Sequence, residues 1–303
     1  VRLDPSVIEE LRVTPDEGAR LKDRSTSHTK TDWLGAIGHE DPKDVAERDL
    51  ESFKAELARA QEVLYASDTW SLLLIFQALD AAGKDGTIKH VMSGVNPQGC
   101  RVTAFKAPSS MELRHNFLWR CSNELPERGM IGIFNRSYYE EVLVLKVHPE
   151  RIASENLPNG LGEHKHLFDE RYEDINNFET HLARNGTKIL KFFLHISKDE
   201  QKRRFLDRIE TPEKQWKFSP TDVVERGFFD QYQQAFEDAL TATSTKHAPW
   251  FVIPADHKPA MRALVGGIVA NAIDGLDISL PTLSDDKRAR LESARQSLLA
   301  ENN

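Results

Sequence analysis

The chain reads as an α/β protein: a three-layer αβα arrangement around a parallel sheet of about five strands. Two observations predict it. Short apolar runs of strand character alternate with segments whose apolar residues recur at helical spacing, the pattern that folds into a parallel sheet covered on both faces. The clearest run, Ser71–Gln77, is apolar almost throughout, as a strand buried on both sides is. A chain of 303 residues is also long enough to bury a large core.

Residues 1–44 are polar, broken by Pro5, Pro15 and Pro42, and read as an arm laid over the domain. From Asp44 to Tyr65 the residues Val45, Leu50, Phe53, Leu57, Ala60, Val63 and Leu64 mark an amphipathic helix. Strand Ser71–Gln77 follows, then a helix over Lys84–Ser93 ending at Gly94, and a strand over Arg101–Phe105. Ser109-Ser-Met-Glu112 has the spacing of a capping box and predicts a helix that stops before Pro126. Met130–Phe134 reads as a strand. Asn135 to about Lys146 reads as helix, although Val142–Val147 alone would pass for a strand. Phe168, Tyr172, Ile175, Phe178 and Leu182 share one helical face, with Asn185-Gly186 as its stop. Lys188–Ile196 is a strand, and Ser197-Lys-Asp-Glu200 caps the next helix. Ser219–Thr243 reads as one long helix, Trp250–Pro254 as the fifth strand and Pro259–Leu276 as the closing helix. The tail after Pro281 is charged and only weakly helical.

Composition limits the function. With 39% hydrophobic and 29% charged residues the chain has the make-up of a water-soluble globular protein. No apolar run reaches the ~20 residues of a membrane helix. The formal charge of −8 argues against a general nucleic-acid binder. It leaves room for a polyanionic ligand, because salt screens charge beyond about 8 Å and a local basic groove outweighs distant carboxylates. The two cysteines, Cys100 and Cys121, make no disulfide framework; each reads as a small core residue, and a reducing cytoplasm is the expected location.

Three clusters carry chemistry. In Trp70-Ser-Leu-Leu-Leu-Ile-Phe-Gln-Ala-Leu-Asp80-Ala-Ala-Gly83-Lys84-Asp-Gly86-Thr87 a strand stops at a loop of small residues and a Gly-Lys pair opens a helix. That order aims backbone N–H groups, the positive end of a helix and an ammonium at one point, which suits phosphate. Asp80 is placed to hold Mg²⁺ directly or through water. The loop departs from the phosphate-loop pattern at Ala78, where the first Gly stands, and at Asp85, where a hydroxyl stands. Second, Asn135-Arg136 follows the third strand: Arg136 is a forked donor suited to phosphate, and Asn135 occupies a position that often supplies a metal-holding carboxylate. Asn135 or Ser137 serves equally well as a helix cap. Third, residues 202–217 hold six basic residues against three acidic ones. Arg204 and Arg208 share a helix face with Phe205, Leu206 and Ile209 beneath. A charged run is ordinarily a solvated face, but the break at Pro212 and the basic pair flanking Trp216 suggest a lid that would exclude water from phosphates. Ligands gather beyond the carboxyl ends of parallel strands, so the 78–84 loop, the 106–110 turn and Asn135-Arg136 are expected on one rim. Asp256, after the fifth strand, belongs there too or caps the helix at Pro259.

These strings, with Pro212-Glu-Lys-Gln-Trp-Lys-Phe-Ser219, Tyr232 to Asp238, Thr243-Ser-Thr and Ala248-Pro-Trp250, resemble the polyphosphate kinase 2 family from about Leu11 to Ile273. The resemblance implies a P-loop kinase fold with a helical lid. It implies Mg²⁺ and a reversible phosphoryl transfer between inorganic polyphosphate and a nucleoside mono- or diphosphate: ADP to ATP, with AMP and GDP as further acceptors. It assigns Asp80 and Lys84 to a Walker A-like loop with Asp80 as the metal residue, and Arg136 to a Walker B-like motif. Ala81, Ala82, Gly83, Asp85, Gly86, Thr87 and Asn135 are then expected against substrate, and Arg204, Arg208, Lys214 and Lys217 in the lid. The Asn-Arg-Ser-Tyr-Tyr-Glu string resembles a subgroup accepting both AMP and ADP, which puts Glu140 near the acceptor. The implied organisation is an arm at 1–44, a kinase domain at 45–281 with a lid at about 200–220, and a charged tail at 282–303. The expected assembly is a homo-oligomer, dimer or tetramer, with neither nucleic acid nor membrane as partner. The alternatives are an ATP-dependent nucleoside monophosphate kinase of the thymidylate kinase type and a non-catalytic phosphate or nucleotide binder, the latter suggested by Ala78 and Asp85.

Overall fold

A computed structural model describes residues 2–27, 41–158 and 160–301. In chain order the helices and strands are α1 (Pro5–Leu11), α2 (Pro42–Ser67), β1 (Ser71–Gln77), α3 (Lys84–Val91), β2 (Cys100–Ala104), α4 (Trp119–Ser122), β3 (Ile131–Asn135), α5 (Glu140–Val147), α6 (Leu167–Arg184), β4 (Thr187–His195), α7 (Lys198–Glu210), α8 (Pro220–Arg226), α9 (Phe229–Thr243), β5 (Trp250–Pro254), α10 (Lys258–Asp274) and α11 (Asp285–Ala300). The five strands form one sheet in the order β2-β3-β1-β4-β5, every pairing parallel. β1 lies at its centre, buried along its whole length between β3 and β4. Helices α2, α3 and α10 pack together, as do α5, α6 and α9, so the sheet is sandwiched between two helical layers.

Close packing sets the approach of α10 to α2. A Cβ on Gly267 would come within 2.9 Å of Leu3 and 3.1 Å of Phe53, so only hydrogen fits there. The arm is bound to the far edge of the sheet: the Val13 N–H donates to the Trp250 carbonyl at 2.9 Å, and Leu3, Val7, Leu11, Val13, Ala19 and Leu21 are buried. This cover accounts for the burial of every residue of the edge strand β5. Residues 28–40 of the expected arm lie outside the described residues. On the opposite edge β2 stays largely exposed, so Cys100 is half-buried and only Cys121 is a core residue, its thiol pushed up to about 12 by burial.

The structure corrects several expectations. The Ser109 capping box forms, with Ser109 N and Oγ bonding the Glu112 carboxylate and Glu112 N bonding Ser109 Oγ. It opens only a single 3₁₀ turn, because His115 turns extended and Asn116 starts the chain afresh by capping Leu118 N–H. The helix expected from Asn135 begins at Glu140: Asn135 still belongs to β3, and Arg136 takes a left-handed φ of +67°, which helix excludes. The long helix over Ser219–Thr243 is two, broken after Arg226 around Gly227 and Phe228. Leu206 and Ile209 of α7 are exposed, leaving Phe205 as the buried member of that trio. The tail forms a sixteen-residue helix, α11, none of whose residues is buried.

Candidate active site

The loop between β1 and α3 grows directly from the central strand. After Gln77 the chain turns through Ala81 at φ +65° and Gly83 at φ +108°, a conformation that L side chains rarely adopt, and enters α3 at Lys84. Gly83 is the N-cap and offers no side chain, so the first amides of α3 have no side-chain partner and are open to an anion. Lys84 is buried, its ammonium bonded to the Ala78 carbonyl at 2.8 Å. Burial, followed by the charge of Arg136, lowers its pKa to about 8.

The end of β3 lies beside that of β1, which brings Arg136 to the loop. Its backbone N–H reaches the Phe76 carbonyl, and its guanidinium bridges Glu140 at 2.9 Å and Asp80 at 2.8 Å. Glu140 above all, with Asp80, keeps this guanidinium more firmly charged against the opposing effect of burial. Asn135 donates to the Asp85 carboxylate at 2.8 Å, tying the same strand end to the start of α3. Beneath them Tyr138 and Tyr139 are fully buried, and both hydroxyls donate to Glu179 at 2.9 Å. Glu179 is paired at 2.6 Å with Lys191, which also donates to Tyr139 and to the Thr243 carbonyl. The segment that carries Arg136 is thereby bolted to the sheet through a satisfied polar network.

A cavity of about 580 Å³ opens above the loop. Asp80, Ala81, Gly83, Lys84, Asp85, Gly86, Asn135, Arg136, Arg204, Arg208, Lys214 and Lys217, all singled out in the sequence, line this one space. The larger cavity elsewhere, about 730 Å³ between the arm and α9, is lined by none of them. The basic lining of the 580 Å³ cavity is Lys84, Lys106, Arg136, Arg204, Arg208, Lys214, Lys217, Lys258 and Arg262, nine cations against the four carboxylates Asp80, Asp85, Asp207 and Asp222. The side chains that reach the cavity from α7 and the Pro212–Lys217 turn are held lightly: Lys214 pairs with Asp207 at 2.8 Å, Arg208 lies 3.8 Å from Asp222, and Trp216 is exposed with the Lys217 ammonium 5.0 Å from its ring centre.

Five expected residues stand differently. Arg204 is buried, with its guanidinium directed at Glu200 and at backbone carbonyls rather than free for phosphate. Ala82 is fully buried and its N–H turns back to Leu79, while Thr87 is buried with its hydroxyl on the Gly83 carbonyl. Glu140 faces a neighbouring cavity of about 40 Å³, shared with Asp80, Arg136, Asp222 and Tyr232. Asp256 neither caps α10 nor lines the main cavity; it accepts from Ser197 N–H and the Thr26 hydroxyl. Lys106, Lys258, Arg262 and Asp222 were not singled out in the sequence. The rim rule that drew attention to the 106–110 turn and to Asp256 contained the signal for Lys106 and Lys258. Arg262 follows from Lys258 as its i+4 neighbour on α10.

Residues 40–280 match the family Polyphosphate kinase 2 (PPK2). The chain belongs to the polyphosphate kinase 2 family. It is therefore an enzyme of a phosphotransferase family, with the parallel five-stranded P-loop kinase fold. It is 53% identical over 243 residues to the ADP-polyphosphate phosphotransferase of Rhodopseudomonas palustris, covering 80% of this chain and 84% of that one. It is 41% identical over 274 residues to the AMP/ADP-polyphosphate phosphotransferase of Meiothermus ruber, covering 90% and 96%. The crystal structure of polyphosphate kinase 2 from Arthrobacter aurescens superimposes with a TM-score of 0.84 at 38% identity, covering 98% of this chain and 99% of that one. Among the described residues no helix is long and apolar enough to cross a membrane.

Proposed function

We propose that this polyphosphate kinase 2 transfers a phosphoryl group reversibly between inorganic polyphosphate and ADP, and that AMP and GDP also serve as acceptors. The observation that carries this reading is the 580 Å³ cavity, where nine cations meet four carboxylates above the open amides of α3 in a chain of net charge −8. Local excess positive charge of this kind suits an extended polyanion better than one small anion. The names of the Rhodopseudomonas palustris and Meiothermus ruber relatives support ADP and AMP as acceptors.

In the proposed reaction an oxygen of the nucleotide's terminal phosphate attacks the last phosphorus of the polyphosphate chain. One P–O bond forms while one anhydride P–O bond breaks, so the exchange is close to balanced and runs both ways. The attacking oxygen is already ionised at neutral pH, and no general base is required. The protein aligns the two phosphates and neutralises charge on the transferring group, the contributions that dominate phosphoryl transfer. Lys84, the α3 amides and Arg136 act at the reacting phosphates. Lys214, Lys217 and Arg208 hold the rest of the chain and, in closing, exclude water that would compete as acceptor.

Magnesium fits the donor set. Mg²⁺ is ordinarily held by one or two carboxylates and completes its shell with water and phosphate oxygens. Asp80 and Asp222 both line the cavity, and Asp222 is raised above the usual carboxylate range by burial and by the charge of Asp80. Bound there, the ion would neutralise phosphate oxygens. The test of the reading is a donor assay. ADP with polyphosphate and Mg²⁺ should yield ATP with no other donor present, and parallel reactions with AMP and GDP define the acceptors. Failure to form ATP, with ATP instead phosphorylating a nucleoside monophosphate, would favour a kinase of the thymidylate type.

A further inference from the structure

We infer that one face of α7 clasps the phosphate loop: Gln201 and Arg204 are positioning residues that turn the carbonyls of Asp80, Ala81 and Ala82 outward and so aim the loop's N–H groups at phosphate. Gln201 Nε2 donates to the Asp80 carbonyl at 3.0 Å. Arg204 Nη1 donates to the carbonyls of Ala81 at 3.2 Å and Ala82 at 2.6 Å. Its Nη2 donates to the carbonyls of Ala255 at 2.5 Å and Asp256 at 3.2 Å, and its Nε to Glu200 at 2.7 Å. A guanidinium has five N–H bonds, and this arrangement uses all five inside the protein. Arg204 is 3% exposed and Gln201 2%.

A trans peptide points the N–H of one residue opposite to the carbonyl of the residue before it. Holding the Asp80 and Ala82 carbonyls against α7 therefore turns the N–H groups of Ala81 and Gly83 the other way, and both residues line the cavity. The clasp also offsets strain, since Ala81 sits at φ +65°, a region that non-glycine residues enter only when their surroundings hold them there. Gln201 reaches further. Its Oε1 accepts from Arg226 Nη1 at 2.8 Å, and the same nitrogen donates to the Lys198 carbonyl at 2.7 Å. Arg226 closes α8, whose first turn carries Asp222 into the cavity, so the position of α8 is linked through Gln201 to the backbone of Asp80.

The inference rests on the proposed reaction for its kinetic arm and stands apart from it for its second arm. Gln201→Glu keeps shape and acceptor but loses the donor, Gln201→Met loses both, and Arg204→Lys keeps the charge while one ammonium cannot serve four carbonyls on two loops. In ATP formation from polyphosphate and ADP, each variant, assayed well below its melting temperature, should lose about tenfold or more in kcat, as misplacement of a reacting group does. KM for polyphosphate should change less than about threefold, because these side chains touch no phosphate. In the free protein, amide hydrogen exchange over residues 78–86 should speed up in Gln201→Met while the β1 and β4 amides stay protected. A purely structural role would lower the melting temperature and leave both kcat and the loop's relative protection unchanged. Arg204→Lys at wild-type kcat, a loss confined to KM for polyphosphate, or unaltered loop exchange overturns the clasp. If Arg204→Lys does not fold, the two Gln201 variants decide. A wild-type enzyme that forms no ATP would refute the proposed reaction and leave the exchange experiment standing.

Discussion

Lys84 is a buried ammonium with one carbonyl partner, beneath the amides of α3, and two expectations follow at the level of this side chain. Lys84→Ala should lower kcat for ATP formation by on the order of 10²-fold or more, the effect of removing one preorganised charge donor; a loss of only two- or threefold in steady-state rates would remove Lys84 from the reacting phosphates. The second concerns protons. In the free protein its pKa is lowered to about 8, mainly by burial, and an anion alongside favours the charged form and raises it. Polyphosphate binding should therefore take up a proton at pH 8.5, and affinity should fall as pH rises above 8, by at most about tenfold per unit. Calorimetry in two buffers of different ionisation heat reads this uptake directly, and proton release on binding would contradict it.

At the scale of elements, β4, α6 and α9 are held together around the Lys191–Glu179 pair, both side chains fully buried. Glu179→Leu leaves an ammonium without its counter-ion and should destabilise by about 3–5 kcal/mol in urea unfolding; an effect under about 1 kcal/mol would show the network to be dispensable. What was readable in the sequence follows the same divide between local and distant causes. Ser71–Gln77 was readable because a central parallel strand is one continuous apolar run, and the Gly83-Lys84 step because a helix entered from a positive-φ residue calls for glycine. The break between α8 and α9 was missed because Gly227 keeps a right-handed helical φ, so the halves separate without any change of hand. Arg204 was misread because a basic run looks the same whether its members face water or carbonyls. Only the fold, by carrying α7 past the β1 loop, decides which. Lys258 and Arg262 reach the cavity from α10, 174 and more residues after Lys84, through strand order alone.

For the whole molecule, the buried core ends before the last helix. Deleting residues 285–303 should change unfolding free energy by no more than about 0.5 kcal/mol, as surface changes do, since no described residue of α11 is buried. A larger drop in melting temperature would mean that this helix is covered in the assembled protein. The acid limb of stability has a different source. His195 is buried and its pKa is lowered to about 4, chiefly by burial, against 6.5 when free. The unfolded chain thus binds the extra proton between those values, and stability should fall as pH drops from 6.5 toward 4, by at most about 1.4 kcal/mol per unit. Urea midpoints at pH 7 and pH 5 for the wild type and His195→Asn check it: the variant should lose part of that slope, and an unchanged slope would place the acid sensitivity elsewhere.

In the proposed reading the 78–86 loop, Arg136, Arg208 of α7, the basic residues of α10 and Lys214 and Lys217 act as one polyphosphate site, and all of them line the same cavity. A crystal structure with a short polyphosphate and Mg²⁺ measures this directly. Phosphates should run from the amides of Lys84–Gly86, past Arg136, toward Lys214 and Lys217; a polyphosphate seated in the 730 Å³ cavity beside the arm, with the loop empty, would contradict the account.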